Sequence, residues 1–170
     1  MKRISRQDIF NGKIIKVYCD EVELSDGTRT ERELVSHREA VAVVAVNEKQ
    51  ELLMVTQFRY PIGRKMLELP AGLIDEGEEP IETAKRELKE EKWEPLTSAY
   101  SSPGSHDEKI HIYLAEGLTH VSGQSLDEDE RLTFSIETVE DILRRINAGD
   151  IQDSKTIIGV LLYCSTNNLH

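Results

Sequence analysis

Gly72-Leu73-Ile74-Asp75-Glu76-Gly77-Glu78, followed after seven residues by Arg86-Glu87-Leu88-Lys89-Glu90-Glu91, is the stretch on which the reading of this chain turns. Glu79-Pro80 starts a helix between its two halves. Proline suits the first helical position, and Glu78 and Glu79 suit the positive end of the helix dipole. At about 100° per residue, Ile81, Ala84 and Leu88 form one apolar stripe, and the helical pattern continues through Lys92. On that helix Glu87 and Glu91 stand one turn apart beside the stripe, with Glu90 on the same flank. Like charges on adjacent turns repel one another, so their clustering at the edge of a buried face calls for a cation. Carboxylates are hard oxygen ligands suited to Mg2+ or Mn2+ rather than zinc. Gly72 lets the backbone turn, so that the Ala71 carbonyl can face the same cation. Arg86, on another face, is placed to tie the loop to the helix by a bidentate bond to Glu78.

Upstream, Lys13–Leu24, the turn Ser25-Asp26-Gly27 and Thr28–Val35 read as a hairpin. Ala40–Val46 is a continuous apolar run, expected to be a strand buried on both faces. Glu51–Phe58 and the short Met66–Leu69 follow as strands, with Pro61, Gly63, Pro70 and Gly72 punctuating the loops. Downstream, Lys109–Ala115 and Leu132–Ile136 read as strands, and Val139–Ala148 and Ser154–Cys164 as helices. Strands and helices mix without regular alternation, so the expected class is α+β. The chain divides into an N-terminal hairpin extension, residues 1–38, and a main domain, residues 39–170.

The 170 residues suit one domain with a small elaboration. Hydrophobic residues at 38% and charged residues at 31% describe a soluble globular chain. No apolar run approaches the roughly 20 residues that span a bilayer, and no membrane partner is expected. Met1–Phe10 has no apolar signal core. Cys19 and Cys164 make no disulfide framework, so a reducing cytoplasm is the expected location. The formal charge of −11 argues against nucleic acid as a partner. A small phosphorylated substrate remains compatible with it if divalent cations lie between carboxylates and phosphates. Glu68–Glu94 holds ten carboxylates and four basic residues, which concentrates the acid where a cation is called for.

The array Gly72, Glu78, Arg86, Glu87, Leu88, Glu90, Glu91 resembles the Nudix box, G-x5-E-x7-R-E-U-x-E-E-x-G-U with U aliphatic. The resemblance extends to Gln57-Phe58-Arg59-Tyr60-Pro61, Ser102-Pro103-Gly104, Asp107–His111, Asp127-Glu128-Asp129-Glu130 and Asp153-Ser154-Lys155-Thr156, which look like the ADP-ribose pyrophosphatase branch. It implies a Nudix-type α/β/α sandwich with a mixed sheet and an N-terminal antiparallel extension. It also implies Mg2+-dependent hydrolysis of a nucleoside diphosphate derivative, above all ADP-ribose to AMP and ribose 5-phosphate. A nucleotide sugar of the GDP-mannose type is the rival substrate. A non-catalytic nucleotide sensor is disfavoured, because every box carboxylate is present.

The implied metal ligands are the Ala71 carbonyl, Glu87, Glu90 and Glu91, with Mg2+ or Mn2+ as the ion. The implied catalytic group is Glu130 as general base, with Glu90, Glu128 and the box arginine Arg86 beside it. Arg59 is implied for substrate phosphate, and Arg32 and Glu33 for the adenosine end across a dimer interface. Phe10 and Tyr18 are aromatic candidates for base stacking; His111 reads as structural, and Ser105 stands where a larger residue is usual. A hairpin cannot bury both faces against a small core, so a homodimer is expected, and the resemblance implies exchange of the hairpin between subunits. One departure stands out. The box should close on a glycine, but Lys92-Trp93-Glu94 follows Glu91. Trp93–Tyr100 reads as the strand that follows a longer loop, so several residues are expected to lie between Glu91 and Lys92.

Overall fold

The computed structural model describes residues 1–88, 92–117 and 132–169, the side chain of Glu87 excepted. Two compact units emerge: Met1–Glu39 with Ala99–Ile110, and Ala40–Ser98 with His111–His170.

In the first unit, β1 (Lys2–Asn11), β2 (Ile15–Glu23) and β3 (Arg29–His37) form an antiparallel sheet in that order. The expected hairpin is β2–β3. β1 was not expected, because Lys2–Asn11 is rich in charge and shows no clean alternation; all ten of its residues are exposed. Two register shifts interrupt its pairing with β2. The residues that follow Ser102-Pro103-Gly104 lie along β3, with Val35 bridged to His106. Val35 N–H donates to the Ser105 carbonyl at 2.8 Å, and Asp107 N–H donates to the Val35 carbonyl at 3.2 Å. The Asp107 carboxylate accepts from Ser36 Oγ and from His37 N–H, each at 2.8 Å. Across β1 and β2, Arg6 makes a bidentate pair with buried Asp20 at 2.7 and 2.8 Å, and its guanidinium lies 4.1 Å from the Tyr18 ring centre.

The second unit is built on a mixed sheet in the order β10-β5-β4-β9-β8, with β6 paired to β5 and β7 to β4. These strands are β4 (Ala40–Val46), β5 (Glu51–Arg59), β6 (Arg64–Glu68), β7 (Ala71–Leu73), β8 (Lys92–Tyr100), β9 (Lys109–Glu116) and β10 (Thr133–Thr138). β4 is buried along its whole length, as its continuous apolar run requires. Its odd residues Val41, Val43 and Ala45 join Leu53, Ala84 and Ala115 in one core, against which Ile74, Ile81, Leu88 and Trp93 pack. Its even face meets a different helix: a Cβ added at Gly159 would lie 3.0 Å from Val44 Cγ2 and 2.8 Å from Leu69 Cδ1. Helix α1 (Pro80–Glu87) therefore covers one face of β4 and α3 (Ser154–Asn167) the other. α2 (Val139–Asn147) is capped by Thr138 Oγ1, which accepts from Asp141 N–H, and stops where Gly149 takes φ +78°.

The helix through Lys92 is corrected. α1 ends at Glu87, and Leu88 is extended at φ −142°, ψ 138°. β8 begins at Lys92, four positions on, so Lys92 is in a strand and not in the helix. The expected placing of Glu91 one turn beyond Glu87 falls outside the described residues. The short β7, expected as loop, pairs through Ala71, Gly72 and Leu73 with Ala42, Val41 and Ala40. The strand expected at Trp93–Tyr100 is present as β8. The expected insertion between Glu91 and Lys92 falls outside the described residues.

Candidate active site

The loop between β7 and α1 is held by one carboxylate. Glu78 Oε2 accepts from Thr83 Oγ1 at 2.7 Å, from Arg86 Nη2 at 3.1 Å and from Asp75 N–H at 3.2 Å; Glu78 Oε1 accepts from Arg86 Nε at 3.3 Å. Arg86 Nη2 also donates to the Leu73 carbonyl at 3.3 Å and lies 3.5 Å from Asp75 Oδ2. This is the bidentate tie read from the spacing of Glu78 and Arg86. It joins the end of β7, the loop and the last turn of α1 in one clasp. The Arg86 and Thr83 bonds to its charged form hold the Glu78 carboxyl well below its usual range, at about 2. α1 presents Ala84 to the core, which fixes the rotation of the helix and places Arg86 on the side facing the loop.

Ala71 lies in β7, directly opposite Ala42. Glu87 is the last residue of α1. Of the remaining expected ligands and acid–base groups, Glu90, Glu91, Glu128 and Glu130 lie outside the described residues. The donors offered by the sequence, one backbone carbonyl and three carboxylates, are all hard oxygen and fit a divalent cation such as Mg2+.

Arg59, at the end of β5, makes a bidentate pair with Glu68 of β6: Nε donates at 2.8 Å and Nη2 at 2.6 Å. Glu68 is 2% exposed and also accepts from Lys155 Nζ at 2.5 Å. Lys155 donates in turn to Asp153 Oδ1 at 2.9 Å. Burial opposes ionisation of Glu68, but the two cations outweigh it and hold its pKa below the ordinary value. This cluster was missed in the sequence. Its signal was a lone carboxylate in the otherwise apolar Met66-Leu67-Glu68-Leu69, which cannot be buried without a cation.

Arg32 and Glu33 occupy successive positions of β3 in the first unit, so their side chains leave opposite faces of the sheet. Arg32 Nη1 donates to the Glu31 carbonyl at 2.8 Å and to Thr30 Oγ1 at 3.2 Å. Of the aromatic candidates, Tyr18 carries the Arg6 guanidinium and Phe10 is exposed. His111 Nδ1 lies 3.0 Å from Ser98 Oγ, in keeping with a structural role.

Comparison with known proteins agrees with the clasp. Residues 36–155 match the NUDIX domain model, and residues 1–35 match the nucleoside diphosphate sugar hydrolase N-terminal domain. The chain belongs to the Nudix hydrolase family. It is 42% identical to the ADP-ribose pyrophosphatase of Bacillus subtilis (strain 168), over 94% of this chain and 90% of that protein. It is 41% identical to the methanol dehydrogenase activator of Bacillus methanolicus, over the same shares. A crystal structure of an ADP compounds hydrolase superposes with a TM-score of 0.84, covering 100% of this chain and 98% of that one; at 21% identity it speaks for the fold alone. Enzymes of this family generally use divalent metal ions such as Mg2+. Among the described residues, no helix is long and apolar enough to cross a membrane.

Proposed function

We propose that this chain hydrolyses the pyrophosphate linkage of a nucleoside diphosphate derivative, with ADP-ribose as substrate and AMP and ribose 5-phosphate as products. The observation that carries the reading is the Glu78–Arg86 clasp at box spacing, in a chain 42% identical to an ADP-ribose pyrophosphatase. The Ala71 carbonyl, Glu87, Glu90 and Glu91 would hold Mg2+. When bound, the metal supplies positive charge to the phosphate oxygens and lowers the pKa of a coordinated water.

The chain's own groups do the rest. Glu130 takes the proton of the attacking water as the new P–O bond forms and the bridging P–O bond breaks. Arg59 meets the substrate phosphates. Arg86 acts as a positioning group, holding the β7 loop against the helix that carries Glu87. Arg32 and Glu33 serve the adenosine end in a homodimer, reached by exchange of the N-terminal strands. A cytoplasmic location accords with a substrate of this kind.

The test is a panel of ADP-ribose, GDP-mannose and other nucleotide sugars with Mg2+, reading out the nucleoside monophosphate. AMP release from ADP-ribose, abolished by EDTA and far faster than release from the sugars, is expected. Preferential release of GMP from GDP-mannose would move the substrate to the rival class. No release from any member would leave a binding module.

A further inference from the structure

Four charged side chains form a row at the junction of β5, β6 and α3: Arg59, Glu68, Lys155 and Asp153. Their signs alternate and their bonds run 2.6, 2.5 and 2.9 Å. Burial differs along the row, deepest at Glu68 and least at Arg59. Glu68, Lys155 and Asp153 keep 3%, 10% and 15% of their side chains exposed, whereas Arg59 keeps 38%. Asp153, at the end opposite Arg59, is anchored as the cap of α3, accepting from Thr156 N–H at 3.0 Å. Thr156 Oγ1 accepts from Leu69 N–H at 2.8 Å, so the same helix end also holds the strand that leads to Ala71.

We propose that Lys155 is a positioning residue for anionic substrate. It is the counter-charge that lets buried Glu68 and partly buried Asp153 stand behind Arg59 without cancelling that arginine's positive charge toward the substrate. With Lys155 the charges of these four side chains sum to zero, and the most exposed of them is a cation. Without it, two carboxylates share one arginine and the row carries −1 behind the place where phosphate is to bind. Low dielectric keeps such a charge effective over the length of the row. This rests on the proposed role of Arg59 and extends it to a residue 96 positions away in the chain.

Charge restoration separates this role from simple packing. Lys155→Met removes the cation; Asp153→Asn removes one carboxylate while keeping an oxygen to cap α3. The readouts are KM and kcat for ADP-ribose at saturating Mg2+, the Kd of ADP by calorimetry in EDTA, and the melting temperature. Lys155→Met is expected to raise KM and Kd about tenfold with kcat within about threefold. The double variant Lys155→Met/Asp153→Asn should return both near wild type, although it melts no higher. Asp153→Asn alone should tighten ADP about threefold, and this measurement tests the charge balance even if Lys155→Met fails to fold. Unchanged Kd in Lys155→Met, no recovery in a folded double variant, or weaker ADP binding by Asp153→Asn would each overturn the proposal. A wild type that binds ADP yet leaves ADP-ribose intact would remove the hydrolytic reading while the Kd series still decides the role of Lys155. A wild type that binds no ADP would overturn the proposal itself.

Discussion

Glu78 is a carboxylate that never needs to touch substrate to matter. Its pKa is lowered from 4.5 to about 2 by Arg86 and Thr83. A group ionised more readily in the folded state stabilises it above the unfolded pKa, and that contribution fades as pH falls from about 4.5 towards 2. Glu78→Gln should therefore be less stable than wild type near neutral pH, and the gap should narrow through this window in urea melts. A gap that stays constant from pH 6 to pH 2 would show that the charge of Glu78 is not what holds the loop. The box carboxylates behave differently. Glu91→Gln should lower turnover by several orders of magnitude at saturating Mg2+ while leaving the melting temperature close to that of wild type, because it removes one charged metal ligand and nearly keeps the side chain's shape. Glu130→Gln should lower kcat by about 10²–10⁴ with little change in KM. A loss confined to KM would make Glu130 a binding residue.

Among the elements, α3 shows how little slack the second unit has. Gly159 faces the sheet, and any Cβ there meets Leu69 at 2.8 Å, Val44 at 3.0 Å and Ile112 at 3.3 Å. Gly159→Val should cost about 1–3 kcal/mol in denaturant unfolding. Gly159→Ala should cost less, because better helix propensity offsets part of the crowding. Legibility differs among the elements for physical reasons. β4 declares itself, since seven apolar residues in a row have no other stable place. α2 and α3 announce their starts with Thr138 and Asp153 caps. The end of α1 was not legible: Leu88, Lys89, Glu90 and Glu91 are good helix formers by type, yet Leu88 is already extended and β8 has begun by Lys92. β1 was not legible because its stability comes from pairing with β2 and from Arg6–Asp20, not from an apolar face. At the candidate site, the Glu78–Arg86 tie followed from spacing alone. The Lys155–Glu68–Arg59 row did not, because it joins strands to a helix far along the chain.

For the whole molecule, the first unit leaves Ile4, Ile9, Phe10 and Ile14 exposed. Exposed apolar side chains of this number in one small sheet accord with the proposed dimer. Light scattering should give a dimer mass, and Ile9→Glu with Phe10→Glu should give a monomer with reduced activity on ADP-ribose. A fully active monomer in the wild type would remove the exchanged-hairpin reading.

The contacts of Asp107 with Ser36 and His37 join points about 70 residues apart, within a unit whose first 39 residues leave the ribosome early. At roughly 5–20 residues per second, β3 waits about 4–14 s for its partner segment to be made. During that time its Val35 amide and carbonyl lack the Ser105 and Asp107 backbone partners. The N-terminal sheet is therefore finished late in synthesis although it is made first, and a nascent chain arrested near residue 95 should expose β3 to protease while one arrested well past residue 150 should protect it.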